Sequence, residues 1–456
     1  MTDTIAAIAT GGIVSAIGIV RVSGSEAISV ADKIFRAFSG VKLENGENRQ
    51  MYYGELHDAD GRLLDLCMCT ISRAPNSYTG ENTVEFHCHG SPVVLAEALR
   101  SLFSHGVRQA EAGEFSKRAF LNGQMDLTQA EAVIDLIEAH TPAAANNAAA
   151  QLQGAIKGKL DTIYSTLIDI MAHFHVKIDY PEEFIDEFDT DNYVCILQGV
   201  FDELTHMLAT HARGKVLRDG VPTAIIGRPN TGKSSLLNAL LGYDRAIVTD
   251  TPGTTRDTIE EKLLIGNTLL RIIDTAGVRS TEDAVESLGV MRTFDAVKRS
   301  SLVLLVFDGS EVLTQEDFDS LSLIPESVSK ILVVNKSDLP QALGDQELSS
   351  LGIEYCRICA ISGDGLDGLE DLIKKAVPEP ANHPAGEIIT NARQAEAISR
   401  GRDCIFRAID AIAASVTADA VLTDVEDALK AIGEVTGKEM REDIVARIFE
   451  RFCVGK

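Results

Sequence analysis

The chain has 456 residues, of which 45% are hydrophobic and 24% are charged. This length exceeds one ordinary hydrophobic core and predicts about three domains. No run approaches the roughly 18 uninterrupted apolar residues of a membrane span, so no membrane association is expected. A formal net charge of −26 argues against a chain that wraps nucleic acid over its whole surface. If RNA is the substrate, a more basic partner is expected to carry much of it.

The N-terminus and the cysteines indicate the compartment. The apolar N-terminus carries Asp3 in place of a basic region, which favours strands over a signal peptide. The eight cysteines are scattered, which favours reduced thiols and a cytoplasmic protein. Cys356 and Cys359 have zinc-ligand spacing but lack a second pair, and His87 and His89 alternate as in a strand. Ordinary strand residues are favoured over metal ligands at both places.

Residues 1–120 are predicted to form a compact α+β domain. A helical stretch is expected at residues 92–105. The β-like runs lie at residues 5–9, 17–22, 64–71 and 83–87.

Helical patterns flank a central segment. Residues 126–174 are rich in Ala, Leu, Gln and Glu with apolar positions three and four apart, which predicts long helices with few breaks. The acidic run 180–189 is interpreted as a turn before another helical run through Ala212. Helical character returns from Asn391 to Phe452, so the two segments are predicted to form one discontinuous domain.

The central segment alternates apolar strands with helical stretches, which is typical of a parallel sheet covered by helices. A helix is expected at residues 235–241, directly after the first strand. The predicted strands are 223–226, 269–273, 302–307, 331–334 and 355–358.

A glycine-rich motif, GRPNTGKS, occupies residues 227–234 between the first strand and its helix. Glycines let backbone N–H groups close around phosphate, Lys233 reaches the β- and γ-phosphates, and the Ser234 hydroxyl ligates Mg²⁺. A chance glycine-rich turn is the alternative, which the strand and helix flanks disfavour. The predicted nucleotide contacts here are Asn230, Thr231, Gly232, Lys233, Ser234 and Ser235.

Two further motifs end strands of the same segment. Asp274 can hold a magnesium-bound water, and the Gly277 N–H can sense the γ-phosphate. Asp338 can accept both N–H groups of guanine's N1 and exocyclic amine, which adenine cannot present, so GTP is favoured over ATP. The Ala360 N–H is expected to contact the guanine carbonyl. The predicted contacts are Asp274, Thr275, Ala276, Gly277, Asn335, Lys336, Asp338, Cys359 and Ala360.

These motifs, in this order, resemble the GTPase superfamily and in detail the MnmE (TrmE) family of tRNA-modification GTPases. Residues 253–257 (GTTRD) are similar to the switch segment of the Era, EngA and MnmE branch, and residues 111–131, 432–437 and 452–456 (FCVGK) are similar to the MnmE family. The resemblance implies a multidomain α/β protein. Its parts are an α+β N-terminal domain at 1–120, a discontinuous all-α domain at 121–215 and 380–456, and an inserted Ras-like P-loop GTPase domain at 216–379.

The resemblance also implies an activity and partners. The protein is expected to be a potassium-dependent GTPase that forms a heterotetramer with an FAD-binding, MnmG-like protein. Together they modify carbon 5 of the wobble uridine of certain tRNAs to an aminomethyl or carboxymethylaminomethyl group. The one-carbon unit comes from 5,10-methylene- or 5-formyl-tetrahydrofolate, bound by the N-terminal domain, which also forms the homodimer. GTP is expected to drive GTPase-domain dimerisation and a conformational change.

Two other functions stay open beside this one. A ribosome-assembly GTPase of the same branch would bind and release its partner under the control of GTP. A dimer scaffold with a vestigial GTPase is disfavoured by the intact Lys233, Ser234, Asp274 and Asp338.

By the same resemblance, K⁺ replaces an arginine finger. Val278 stands where a Ras-like GTPase has glutamine, so Glu286 is expected to orient the attacking water, with Lys233 also catalytic. A turn role for Asn230 and a solvated helix position for Glu286 are the alternatives. The implied K⁺ ligands are Asn230, Thr249, Thr251 and Thr254, the implied Mg²⁺ ligands are Ser234 and Thr255, and Thr249 and Thr255 also belong to the GTP site.

The resemblance implies folate contacts at Arg21, Glu81, Lys117, Arg118 and Lys456, where cations suit a glutamate tail and a carboxylate suits a pterin edge. Ordinary surface charges are the alternative. Residues 11–16 (GGIVSA) lack the arginine and two prolines usual in the neighbouring loop. Cys453 is implied as a thiol needed for modification, because burial as a packed hydrophobe is unexpected at a frayed chain end.

Overall fold

A computed structural model describes residues 3–11, 14–179, 190–242, 261–273, 286–377, 384–440, 442–450, 452 and 454–455. The chain divides into two compact units. The first comprises Met1–Ile134, Leu152–Val200 and Arg400–Lys456, and the second comprises Asp135–Gln151 and Phe201–Ser399. Within the described ranges, no helix is both long and apolar enough to cross a membrane.

A seven-stranded sheet dominates the N-terminal part of the first unit. Its strands are β1 Ile5–Ile8, β2 Ser15–Ser23, β3 Phe35–Ala37, β4 Met51–His57, β5 Leu63–Ser72, β6 Thr83–Gly90 and β7 Arg108–Gln109. Their order is β3-β4-β5-β6-β2-β1-β7, antiparallel apart from the pair β1 and β7. Helices α1 Ala27–Ile34 and α2 Pro92–Ser104 pack on the sheet. The predicted α+β domain is confirmed.

Alternation along the strands explains which face of this sheet is covered. In β6, Val84, Phe86 and Cys88 are buried in the core, whereas Glu85 and His87 on the opposite face are only half-buried. Each apolar side chain that folding removes from water in this way contributes about 1.5–3 kcal/mol. Strands β3, β4 and β7 were not predicted from the sequence.

Helices follow this sheet in the chain: α3 Glu114–Leu121, α4 Leu127–Ile137, α5 Pro142–Leu152, α6 Ala155–Asp179, α7 Thr190–Ala209 and α8 His211–Asp219. The expectation of few breaks was wrong between α4 and α6. Pro142 begins α5 because its ring is tolerated only in a first turn, and Gly154 separates α5 from α6 with a φ of 93°. The acidic run 180–189 lies outside the described residues.

The second unit contains a six-stranded sheet. Its strands are β8 Val221–Ile226, β9 Glu261–Ile265, β10 Thr268–Ile272, β11 Leu302–Asp308, β12 Ser329–Asn335 and β13 Tyr355–Arg357. The order is β13-β12-β11-β8-β10-β9, parallel apart from the antiparallel edge pair β9 and β10. The helices that alternate with these strands along the chain are α9 Lys233–Gly242, α10 Glu286–Arg299, α11 Gln315–Ser322, α12 Asp345–Ser350 and α13 Leu366–Ala376.

Central β11 is buried along its whole length, as expected for a parallel strand with a hydrophobic core on each face. The predicted parallel sheet covered by helices is therefore confirmed. The sequence analysis did not predict the edge strand β9.

The last part of the chain forms α14 Ala392–Ala413, α15 Ala418–Thr436 and α16 Glu442–Phe449. Helix α15 ends at Gly437, whose φ of 88° suits a left-handed cap. Helix α15 packs against α6, so helices from two distant segments share the first unit. The predicted discontinuous helical domain is confirmed, whereas the exact boundaries at residues 120, 215 and 379 stay predictions.

Candidate nucleotide site

The glycine-rich motif forms a tight loop between β8 and α9. Gly227 and Gly232 have φ of 148° and 93°, which side chains rarely adopt. A Cβ at Gly227 would collide with the Val306 carbonyl, and one at Gly232 would collide with the Asn335 side-chain amide. Asn230 is also left-handed, with a φ of 64°, and is exposed. The loop therefore has the close backbone curvature that wraps phosphate at a helix N-terminus.

Lys233 begins α9 and folds back over the loop. Its Nζ donates to the carbonyls of Gly227 at 2.9 Å and Arg228 at 2.8 Å. Burial lowers the pKa of the Lys233 ammonium, since the charged form loses water there. An anionic phosphate beside this ammonium would offset the cost of burying its charge, which is the electrostatic setting a triphosphate needs.

Asn335, at the end of β12, joins the two predicted nucleotide loops. Its Nδ2 donates to the Thr231 carbonyl at 2.9 Å, and its Oδ1 accepts from the Ala360 N–H at 3.0 Å. The side chain is buried, so both partners would lose their hydrogen bonds if it were removed. The phosphate loop and the loop at Ala360 are thereby held together by one residue at the end of β12.

Lys336 lies next to Asn335 with a φ of 63°, and its Nζ contacts the Asp308 carboxylate at 2.5 Å. Burial opposes ionisation of Asp308, but hydrogen bonds from Lys336 and Ser310 outweigh it and hold the Asp308 pKa below its ordinary value. Asp308 ends β11, and the sequence analysis missed it. An acidic residue ending a buried strand beside two motif-bearing strands was the available signal.

Arg228, inside the phosphate loop, is a second missed residue. Its guanidinium contacts the Glu311 carboxylate at 2.5 Å and the Asp317 carboxylate at 3.2 Å. Asp317 also accepts from Thr314 and caps α11. The phosphate loop is thus attached to the segment after β11 by pairing that no local motif encodes.

Of the remaining nucleotide residues, Ser234 and Ser235 lie in the first turn of α9, and Asp338 is exposed. Cys359 is buried, and its N–H donates to the Asp364 carbonyl at 2.9 Å. Burial raises the pKa of the Cys356 thiol to about 12. No group of three or more metal-ligating side chains occurs in the described ranges. The predicted residues Thr249, Thr251, Thr254, Thr255, Asp274, Thr275, Ala276, Gly277, Cys453 and Lys456 lie outside the described residues, and Glu286 is described only as the first residue of α10.

The implied folate residues are mostly paired in the structure. Arg21 contacts Glu85 at 2.7 Å and lies over the Tyr78 ring. Arg118 is buried, so the surface-charge alternative does not describe it. Its guanidinium contacts Glu81 at 2.9 Å, and Glu81 also accepts from the Ser23 hydroxyl at 2.8 Å. Lys117 is half-buried.

The chain end is fastened to the N-terminal domain inside the first unit. Val454 forms a β-bridge with Ala112, and a Cβ on Gly455 would collide with the Ile8 carbonyl. Phe452 is buried, with its ring 4.9 Å from that of Phe449. The expectation of fraying here was therefore wrong, because aromatic packing and backbone pairing hold the residues on both sides of position 453.

Comparisons with known proteins cover the whole chain. A family profile described as "GTP-binding protein TrmE N-terminus" matches residues 4–124, and one described as "MnmE helical domain" matches residues 127–453. The "tRNA modification GTPase MnmE" of Natranaerobius thermophilus is 41% identical, over 100% of this chain and 99% of that protein. Proteins of the same name from Alkaliphilus oremlandii and Geobacillus kaustophilus are each 40% identical, over 100% of this chain and 99% of each relative.

Proposed function

The chain belongs to the MnmE (TrmE) family of tRNA-modification GTPases, and we propose that it couples potassium-dependent GTP hydrolysis to modification of the wobble uridine of certain tRNAs. The observation that carries the GTP site is the Asn335 side chain, which bonds to the phosphate loop at Thr231 and to the loop at Ala360. A chance glycine-rich turn has no reason to be bonded to a guanine-type loop in this way.

The residues of this site bind and orient the nucleotide. Lys233 exchanges its two carbonyl partners for the β- and γ-phosphates, and the first turn of α9 directs its positive end to the same place. Asp338, exposed at the base loop, accepts guanine's N1 and amine hydrogens. Ser234 and Thr255 are proposed to hold Mg²⁺.

Asn230 fits a potassium ligand. It is exposed in the phosphate loop and has a left-handed backbone, and its short amide side chain carries an oxygen that can ligate a cation. Thr249, Thr251 and Thr254 are proposed to complete the set, with Glu286 orienting the water. Bound there, the two metal ions supply positive charge against the charge that develops at the β–γ bridge in the transition state.

The test compares GTP hydrolysis in potassium and in sodium at equal ionic strength. We expect a large potassium requirement that Asn230→Ala abolishes. Asn230→Gly must abolish it too, because glycine accepts the φ of 64° without strain and removes only the amide. The matched control is Asn238→Ala, on the exposed face of α9, which should keep the potassium response. Equal rates in both salts would refute the potassium assignment.

The tRNA chemistry is proposed to need a folate, a homodimer and an FAD-binding partner that forms a heterotetramer. Support for the folate part comes from family membership and from the chain end, where Val454 pairs with Ala112 and Gly455 lies against Ile8 and Ala9 of the N-terminal domain. Arg21, Lys117 and Lys456 offer cations for a glutamate tail, and Glu81 and Arg118 complete the proposed contacts.

Cys453→Ser separates this function from that of a ribosome-assembly GTPase. The variant should hydrolyse GTP normally but leave the wobble uridine unmodified, as measured by mass spectrometry of tRNA nucleosides from cells that carry only the variant. Normal modification would contradict the role of the thiol. Normal modification in cells lacking the protein altogether, with defective ribosomal particles, would favour the assembly function.

A further inference from the structure

The base-recognition loop, residues 335–338, must orient one exposed carboxylate, that of Asp338, toward the guanine base. Asp338 discriminates guanine only if its oxygens face the N1 and amine hydrogens together. The loop has an unusual backbone, since Lys336 is left-handed with a φ of 63°. Ordering such a loop at the moment of binding would cost affinity, so any group that holds it beforehand strengthens recognition.

Gln341 holds the loop from its far end. Its side-chain Nε2 donates to the Lys336 carbonyl and to the Leu339 carbonyl, each at 2.9 Å. These two carbonyls bracket Ser337 and Asp338, so one amide group fixes the backbone on both sides of the recognition carboxylate.

Arg357, in β13, decides which way the Gln341 amide faces. Its Nη1 donates to the Gln341 Oε1 at 2.6 Å, and its Nη2 contacts the Leu343 carbonyl at 2.8 Å and Asp345 at 2.9 Å. Because a guanidinium can only donate, the glutamine oxygen must face it, and the NH₂ group must face the loop carbonyls. The orientation of the amide therefore follows from chemistry.

Gly309 leaves room for this arrangement. A Cβ at Gly309 would collide with the Gln341 Oε1. The backbone there is itself tied to the site, since the Gly309 N–H donates to the Asn335 carbonyl at 2.9 Å and the Ala342 N–H donates to the Gly309 carbonyl at 2.8 Å. Residue 309 must therefore be glycine, because a Cβ there would occupy the space that the Gln341 amide fills.

We propose that Gln341, oriented by Arg357, is a positioning residue that sets guanine specificity by pre-ordering the loop around Asp338. The proposal rests on the GTP site proposed above but is independent of potassium, folate and tRNA. Gln341 touches the loop backbone, so its role is to position Asp338 and not to contact the base.

Gln341→Glu is the decisive variant, because glutamate can still accept from Arg357 but cannot donate to the two carbonyls. Gln341→Met removes both functions without adding charge. Affinities for GDP and for IDP, whose base lacks the amine, are measured by titration calorimetry on the full-length protein. We expect both variants to bind GDP on the order of tenfold more weakly, the size of about one net hydrogen bond's contribution, and to lose preference for GDP over IDP. The hydrolysis rate at saturating GTP should stay unchanged while KM rises.

The matched control is Gln315→Glu, which adds the same charge at the exposed start of α11 and should leave both affinities unchanged. Gly309→Ala should reproduce the Met variant. Unchanged GDP preference in the Glu and Met variants would overturn the proposal alone, as would equal weakening of GDP and IDP with a lower melting temperature. Failure of the unaltered protein to bind GDP would overturn the GTP site, and this proposal with it.

Discussion

Arg118→Met removes a buried guanidinium whose predicted role was folate binding. In the structure this group makes four hydrogen bonds at 2.9 Å, to the Asp3 carbonyl and to the carboxylates of Asp3, Glu81 and Glu114. Methionine fills a similar volume but offers no donor. Stability and folate binding measured on this variant therefore distinguish whether Arg118 stabilises the domain or binds a ligand.

The expected loss of stability depends on which partners each carboxylate keeps after the Arg118 guanidinium is removed. Removing one partner of a buried ion pair costs about 3–5 kcal/mol, because the other charge stays buried without compensation. Glu114 keeps its contact with Arg108 at 2.6 Å, and the Asp3 side chain is 48% exposed, so both are partly compensated. Glu81 retains the Ser23 hydroxyl, a weaker partner. The lower end, about 3 kcal/mol, is therefore expected.

Hydrogen exchange in the full-length protein measures this loss of stability at individual backbone amides. A loss of about 3 kcal/mol should accelerate exchange of β1 and α3 amides by about two orders of magnitude. Lys117→Met is the control, since the neighbouring ammonium is half-buried and its loss should lower folate affinity without changing that protection. If Arg118→Met lost folate binding while β1 and α3 kept full protection, the structural account of Arg118 would be wrong.

Two further outcomes follow from the same geometry. Burial opposes ionisation of Glu114, but the hydrogen bond from Arg108 and those from other donors hold its pKa below the ordinary 4.5. The stability that this carboxylate provides is therefore complete above pH 4.5, and it is lost as the pH falls through the lowered pKa. The difference in melting temperature between the unaltered protein and a Glu114→Gln variant should shrink only in that acidic range. Gly232→Ala would drive a Cβ into the Asn335 amide, so GDP affinity should fall by about tenfold or more, whereas Gly242→Ala, with open space around it, should bind GDP normally.

The phosphate loop and the base-recognition loop of the candidate site could be located from the sequence because their information is local. The phosphate loop reads as glycines between a strand and a helix, and the structure has β8, the left-handed glycines and α9 in that order. The base loop likewise follows β12 directly. What joins the loops was not predictable, because the Asn335 bond to Thr231 spans 104 residues. Spacing along the chain carries no information about such a contact.

The buried charged residues of the N-terminal domain, in contrast, could not be predicted from the sequence. Arg118 and Asp3 lie 115 residues apart, and a charged residue in an amphipathic helix is usually interpreted as exposed. Only the parallel pairing of β1 with β7 brings Asp3 and Arg108 to the start of α3. The sequence therefore indicated a ligand for Arg118 and could not show that the fold also contains partners for its charge.

The chain end changes how Cys453 should be regarded. A terminal segment stays ordered when its backbone pairs and its apolar side chains are buried, and both conditions are met by the Val454 bridge to Ala112 and the burial of Phe452. Gly113 contributes as well, because a Cβ there would meet the Phe449 carbonyl and the Phe452 side chain. Phe452 and Val454 are therefore held in place on either side of position 453. A thiol required at a reaction site needs ordered neighbours, which a frayed tail could not supply.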